Sequence, residues 1–159
     1  IRITRTGERF SALKLSGTPI MREIGEGILA RIRNRTKAQV DSEGHPFPLL
    51  STAYAKLKQK ALGHARADLT VSGAMLNGIM VFPTPTQVTL TFLSGGAIRA
   101  SGRTLIQRSR SIGAADKAFW HTLSGAGRAR VLRPFFKLNE GDEAFAMGRL
   151  DAHLADQIR

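Results

Sequence analysis

The sequence predicts a single α+β domain: a long N-terminal helix and shorter helices packed on a small, mostly antiparallel sheet, with a C-terminal helix. Three observations predict it. Apolar residues recur at three- and four-residue steps across residues 19–39, the helical period. They alternate strictly across 87–93, the strand period. Strands and helices then follow one another without the regular βαβ order that a parallel sheet requires. At 159 residues the chain has the usual size of one domain, and a fold of this length buries about 70% of its unfolded surface.

Ile1 and Ile3 alternate with Arg2 and Thr4, the pattern of an edge strand. Thr18 offers a capping oxygen and Pro19 suits a first helical turn, where its missing N–H is not needed. Ile20, Ile24, Ile28 and Ile32, with Met21 and Leu29, give the first helix one apolar face from about Pro19 to Gln39. Asp41 to Pro48 is rich in turn-forming residues and reads as a loop. Ser51 or Thr52 caps a second helix with Tyr54 and Leu57 turned inward and Lys56, Lys58 and Lys60 outward, stopped at Gly63. A third helix is expected from Ser72, carrying Met75, Leu76, Ile79 and Met80, and ended by Pro83 and Pro85.

Val88, Leu90 and Phe92 face one side of a strand, and Thr89 and Thr91 the other. Residues 94–113 turn Gly-, Ser- and Arg-rich, with little to bury. Ala118 to Leu123 suggests another strand, and Gly125 to Arg130 a basic turn. Arg133 to Leu138 reads as an extended arm that inserts Phe135 or Phe136 into an apolar seam. Asn139 caps the last helix, whose first turn holds Glu140, Asp142 and Glu143 near the positive end of the helix dipole. Met147, Leu150, Leu154 and Ile158 form its expected inner stripe. The domain is expected to span 1–159 with a flexible loop at about 94–116.

The chain carries 24 Lys and Arg against 12 carboxylates, a net charge of +12. Residues 1–139 hold +15, and residues 140–159 hold −3. No carboxylate occurs between Asp68 and Asp116, whereas Arg99, Arg103, Arg108 and Arg110 crowd one short stretch. These four, with Arg128 and Arg130, are the expected contacts to a polyanion or an acidic partner. Such a segment cannot easily order itself alone. Arg31, Arg33, Arg35 and Lys37 on the first helix suit either a solvated face or a charged contact surface.

With zero Cys there is no disulfide framework and no thiolate metal site. His45, His64, His121 and His153 lie in four segments at spacings that aim no two imidazoles at one metal. His121 beside Trp120 has the chemistry of a general base, but Ser124 stands in no nucleophile-elbow sequence and no carboxylate nearby in sequence orients the ring. Gly125-Ala126-Gly127 lacks the third glycine of a dinucleotide loop. No catalytic residue, metal or cofactor is expected. No apolar run approaches the roughly 20 residues of a membrane span and no signal peptide is visible, so a soluble chain made in the cytoplasm is expected.

Four stretches occur together in a recognisable order: Thr18 to Glu26, Asp41 to Lys56 with its His45-Pro46-Phe47-Pro48-Leu49-Leu50 core, Leu69 to Met75 with Ser72-Gly73, and Arg133-Pro134-Phe135-Phe136-Lys137-Leu138. Together they resemble the tailed-bacteriophage virion-morphogenesis family, over residues 18–158. Between 94 and 116 this chain departs from the family pattern, being longer and more basic. The resemblance implies a non-enzymatic virion protein of the neck that completes the tail and joins it to the head. It implies a homo-oligomeric ring, with a hexamer as one candidate, and contacts to the connector, the tail tube and packaged DNA, without a membrane. Arg133, Pro134, Phe135 and Phe136 would then form a subunit-interface arm, packed within the subunit or on its neighbour. The rival reading is a basic nucleic-acid-binding protein that sets its Arg-rich loop on phosphates; its binding would weaken with salt at a log–log slope of about −0.9 per phosphate neutralised.

Overall fold

The computed structural model describes residues 17–70, 73–92, 113–126 and 129–158. The strand expected at Ile1–Ile3 and most of the Arg-rich stretch lie outside them. The elements are α1 (Gly17–Lys37), α2 (Thr52–Leu62), a one-turn α3 (Ala74–Asn77), β1 (Ile79–Pro83), β2 (Val88–Phe92), α4 (Ala114–Phe119) running into a π-helical turn (Trp120–Ser124), and α5 (Glu140–Ile158). The architecture is α+β, helices plus one two-stranded antiparallel sheet. No described helix is long and apolar enough to cross a membrane.

The described chain gathers into two compact units. The first contains residues 17–31, Met80–Thr91 and residues 138–158. Its core uses Ile20, Met21, Ile24, Ile28 and Leu29 from α1, Val88 from β2 and Ala146 from α5, all buried. Two glycines set how closely α1 is approached. A Cβ at Gly25 would collide with the side chains of Val81 and Val88 in the hairpin, and one at Gly27 with the Phe145 ring of α5. Only glycine permits both contacts. Asn139 and Asp142 start α5 with a reciprocal cap: the Asn139 N–H donates to Asp142 Oδ2 at 3.3 Å, and the Asp142 N–H to Asn139 Oδ1 at 2.8 Å. Asp142 is buried and also accepts from Arg31 Nε at 2.9 Å. The Arg31 guanidinium sits 5.6 Å from the Phe145 ring centroid, close enough for a cation–π contact.

The second unit contains the described residues 32–70, 73–79, 92, 113–126 and 129–137. Its core joins Ile32, Phe47, Met75, Leu76, Ile79, Ala118 and Phe135. Buried Thr36 returns its hydroxyl to the Ile32 carbonyl at 2.7 Å. Two arginines of α1 act as clamps here, since Arg33 donates to the Leu76 carbonyl and Arg35 to the carbonyls of Phe135 and Lys137. These side chains are structural ties, and the solvated-face reading does not apply to them.

Four local expectations are corrected. The third helix stops after one turn, and Ile79 begins β1, where buried and exposed residues alternate; pairing with β2 satisfies backbone groups that β2 alone would leave open. Ala118–Leu123 is helical, not a strand. The Asp116 carboxylate accepts the Gly113 N–H at 3.2 Å and starts α4, so a local cap outweighs the strand preference of Phe119 and Trp120. In α2 Lys58 is the buried residue, while Tyr54 and Leu57 are 39% and 44% exposed. In α5 the buried residues are Asp142 and Ala146; Met147 and Ile158 of the expected inner stripe are exposed, and Leu150 and Leu154 half-buried.

Candidate functional site

The second unit concentrates its polar chemistry around Arg133. That residue sits directly before Pro134, which keeps it extended, and its backbone N–H donates to the His121 carbonyl of the π-helical turn at 2.6 Å. Its side chain is buried and forks onto the loop before α2, donating to the Pro48 carbonyl at 3.3 Å from Nε and 2.8 Å from Nη2, and to the Leu49 carbonyl at 3.3 Å. The Ser42 N–H donates to the Pro134 carbonyl at 3.2 Å. Lys137 pairs with Glu43 at 3.0 Å. Phe135 is wholly buried, and the half-buried Phe136 ring lies 4.7 Å from that of Phe92, centroid to centroid. The arm is thus fixed at its start by backbone hydrogen bonds, in the middle by an aromatic anchor and at its end by Glu43 and Arg35. Arg133 and Phe135 are packed inside their own chain; Pro134 and Phe136 keep partial exposure.

Burial sets the electrostatics. It lowers the Arg133 guanidinium below its ordinary pKa, a shift the Tyr54 phenol opposes. Burial also raises the Tyr54 phenol, with the Asp68 charge acting in the same direction and Arg133 against it. His121 is pushed down to about 4, first by burial and then by the Arg133 charge. It is therefore neutral at pH 7. Its Nδ1 and the Thr122 hydroxyl are buried without a hydrogen-bond partner among the described residues. Nδ1 is the atom a triad carboxylate would hold.

Behind Tyr54, Lys58 reaches under α2 to pair with Asp68 and to donate to the Arg66 carbonyl. Burial alone would raise the Asp68 carboxyl. Hydrogen bonds from Lys58 and Thr70, with the Lys58 charge, outweigh it and hold the carboxyl below its ordinary range. Sequence reasoning places Lys58 outward, yet a signal was there: position 58 lies four residues after Tyr54 and beside Leu57, on the apolar arc of α2.

Comparison with protein-family models, curated proteins and solved structures finds no match. The surface chemistry of this unit therefore carries the functional argument. Large apolar side chains are exposed at or beside the chain positions that Arg133 contacts. Leu49, whose carbonyl Arg133 binds, is 90% exposed; Leu132 precedes Arg133 and is exposed; Trp120 precedes His121 and is exposed, as is Leu123. Exposed large apolar side chains on a unit with a fixed polar centre have the chemistry of a protein contact surface.

Of the expected polyanion contacts, Arg99, Arg103, Arg108, Arg110 and Arg128 lie outside the described residues. Arg130 is exposed, in a left-handed backbone conformation with φ of 46°, within the turn that the Ala126–Val131 bridge closes. The described residues bring no second arginine of that set beside it. They also contain no group of three His, Asp or Glu residues arranged to hold a metal.

Proposed function

We propose that this chain is a structural subunit of a tailed-phage neck, which completes the tail end and joins it to the head as an oligomeric ring. One observation carries the reading: two of the four stretches behind the family resemblance are docked on each other. Arg133 of the Arg-Pro-Phe-Phe arm grips the carbonyls of Pro48 and Leu49 in the His-Pro-Phe-Pro-Leu-Leu loop. Residues more than half of the chain apart in sequence and selected together by the resemblance thus form one structural device, which a chance likeness of turns and caps would not require. The exposed apolar side chains beside that device in sequence supply a surface for a neighbour, and a closed ring gives a small subunit a way to cover it.

The deciding experiment removes the protein from an assembling phage. Full heads and finished tails that accumulate unjoined, and that join again when the purified protein is added, support the reading. Infectious joined particles formed without it overturn it. Filter binding of DNA at two salt concentrations addresses the rival: tight binding with a steep salt dependence would favour the nucleic-acid reading.

A further inference from the structure

Two helices of this chain leave open the faces that their periodicity marks for burial. On α2, Tyr54, Leu57 and Ala61 fall at three- and four-residue steps, on one side of the helix. All three are exposed, as is Leu62, and the only buried side chain of the helix is Lys58. On α5, Glu143, Met147, Leu150, Leu154 and Ile158 follow one another at steps of four, three, four and four, again one side. Ile158 is 71% exposed and Met147 38%. The interior of its unit is reached from the other side of α5, through Asp142, Phe145 and Ala146.

The borders of the two stripes carry opposite charge. Residues 44–67 contain no carboxylate, and Lys58 is already matched by Asp68. Lys60 of α2 and Arg66 beyond it remain exposed, while exposed Lys56 lies on the side of the helix away from the stripe. Lys60 stands one turn from Leu57. On α5, exposed Glu143 stands one turn before Met147 and exposed Glu140 one turn before Glu143, while Arg149 is engaged by Glu23. One stripe therefore has a basic border at Lys60 and the other an acidic end at Glu140 and Glu143, as a complementary pair requires.

We infer that α2 of one copy docks the apolar stripe of α5 of a second copy, with Lys60 set against Glu140 and Glu143. This rests on the oligomeric reading above and names the surfaces that would make it. The two surfaces differ, so the contact is heterologous, and copies added one way propagate until a ring closes. A helix lying with its apolar face against another, steered by flanking charge, is a common mode of recognition.

The test uses the full chain and light scattering. The unmodified protein is expected to run as more than two copies. Leu57→Asp blocks the α2 face and Met147→Asp the α5 face; both positions are exposed, so each variant keeps the helical circular dichroism of the parent. Each alone is expected to be monomeric, with association weakened at least tenfold, and an equal mixture is expected to give a one-to-one dimer through the single intact pair of faces. The charge exchange Lys60→Glu should weaken association, and adding Glu143→Lys should restore it. An oligomer that both blocked variants leave intact overturns the docking while sparing the ring. A parent of only two copies whose blocked variants still complement overturns the ring while sparing the docking. A monomeric parent overturns both.

Discussion

Helices α1 and α2 are both basic and amphipathic, yet they spend those properties in opposite ways. In α1 the apolar stripe is sealed from Ile20 to Ile32, and Arg31, Arg33 and Arg35 reach over its edges to bind Asp142, the Leu76 carbonyl and the carbonyls of Phe135 and Lys137. In α2 a lysine is inside and the apolar residues are outside. Arg31, Arg33 and Arg35 of α1 work within the fold; Arg22 and Lys37 of α1, like Lys56 and Lys60 of α2, face outward.

The contrast can be broken at four points. The largest effect is expected at Lys58, because replacing it with Met leaves the Asp68 carboxylate buried beside an apolar chain, at a cost of roughly 3–5 kcal/mol. Urea denaturation should show it, and Lys58→Met with Asp68→Leu should recover most of the loss. A double variant no more stable than the single one would mean that the pair is not what anchors α2. Next, Ile28→Ala in α1 should cost about 2–5 kcal/mol as a cavity in a sealed stripe.

Acidification gives a third, graded effect. His121 titrates at 6.5 when unfolded and at about 4 when folded, so the unfolded chain takes up its proton first. The stability that neutral His121 contributes is complete above pH 6.5 and is lost as pH falls toward about 4. Asp68 is also depressed, from an ordinary 3.8, so its contribution is present above that value and disappears only at lower pH. Denaturation midpoints across this range should fall in two steps, and His121→Phe should remove the upper one. The smallest effect belongs to Leu57→Ser, which should move stability by no more than about 0.5 kcal/mol. A large loss there would show that the α2 face is covered within its own chain.

Much of this fold was legible in the sequence because its signals are local. The helix from 19 to 39, the Ser51 cap, the Gly63 stop, the alternation of β2 and the Asn139 cap each depend on a few neighbouring residues, and each stands where its chemistry puts it. What failed depends on partners far away in sequence. Ile79 follows Met75 at a helical spacing and Val81 at a strand spacing, and only the pairing with β2 decides between them. Lys58 reads as a solvent residue until Asp68 and the Arg66 carbonyl are brought to it. At the candidate site, the anchoring role of Phe135 follows from the pre-proline arm, whereas the grip of Arg133 on Pro48 and Leu49 crosses more than eighty residues and leaves no local trace. The outward stripes of α2 and α5 misled for an informative reason: periodicity reports that a face is to be covered, not by which molecule.

The glycine pair of α1 has one more consequence. Gly25 and Gly27 are notches on opposite flanks of the rod, one admitting the hairpin valines and the other the Phe145 ring. Advancing the rod by one residue along its own screw, about 1.5 Å with a turn of roughly 100°, would carry Glu26 into a notch and jam it. The helix is thereby keyed like a bolt in its bracket, and the bond from Arg31 to Asp142 one turn further on is made at a fixed height.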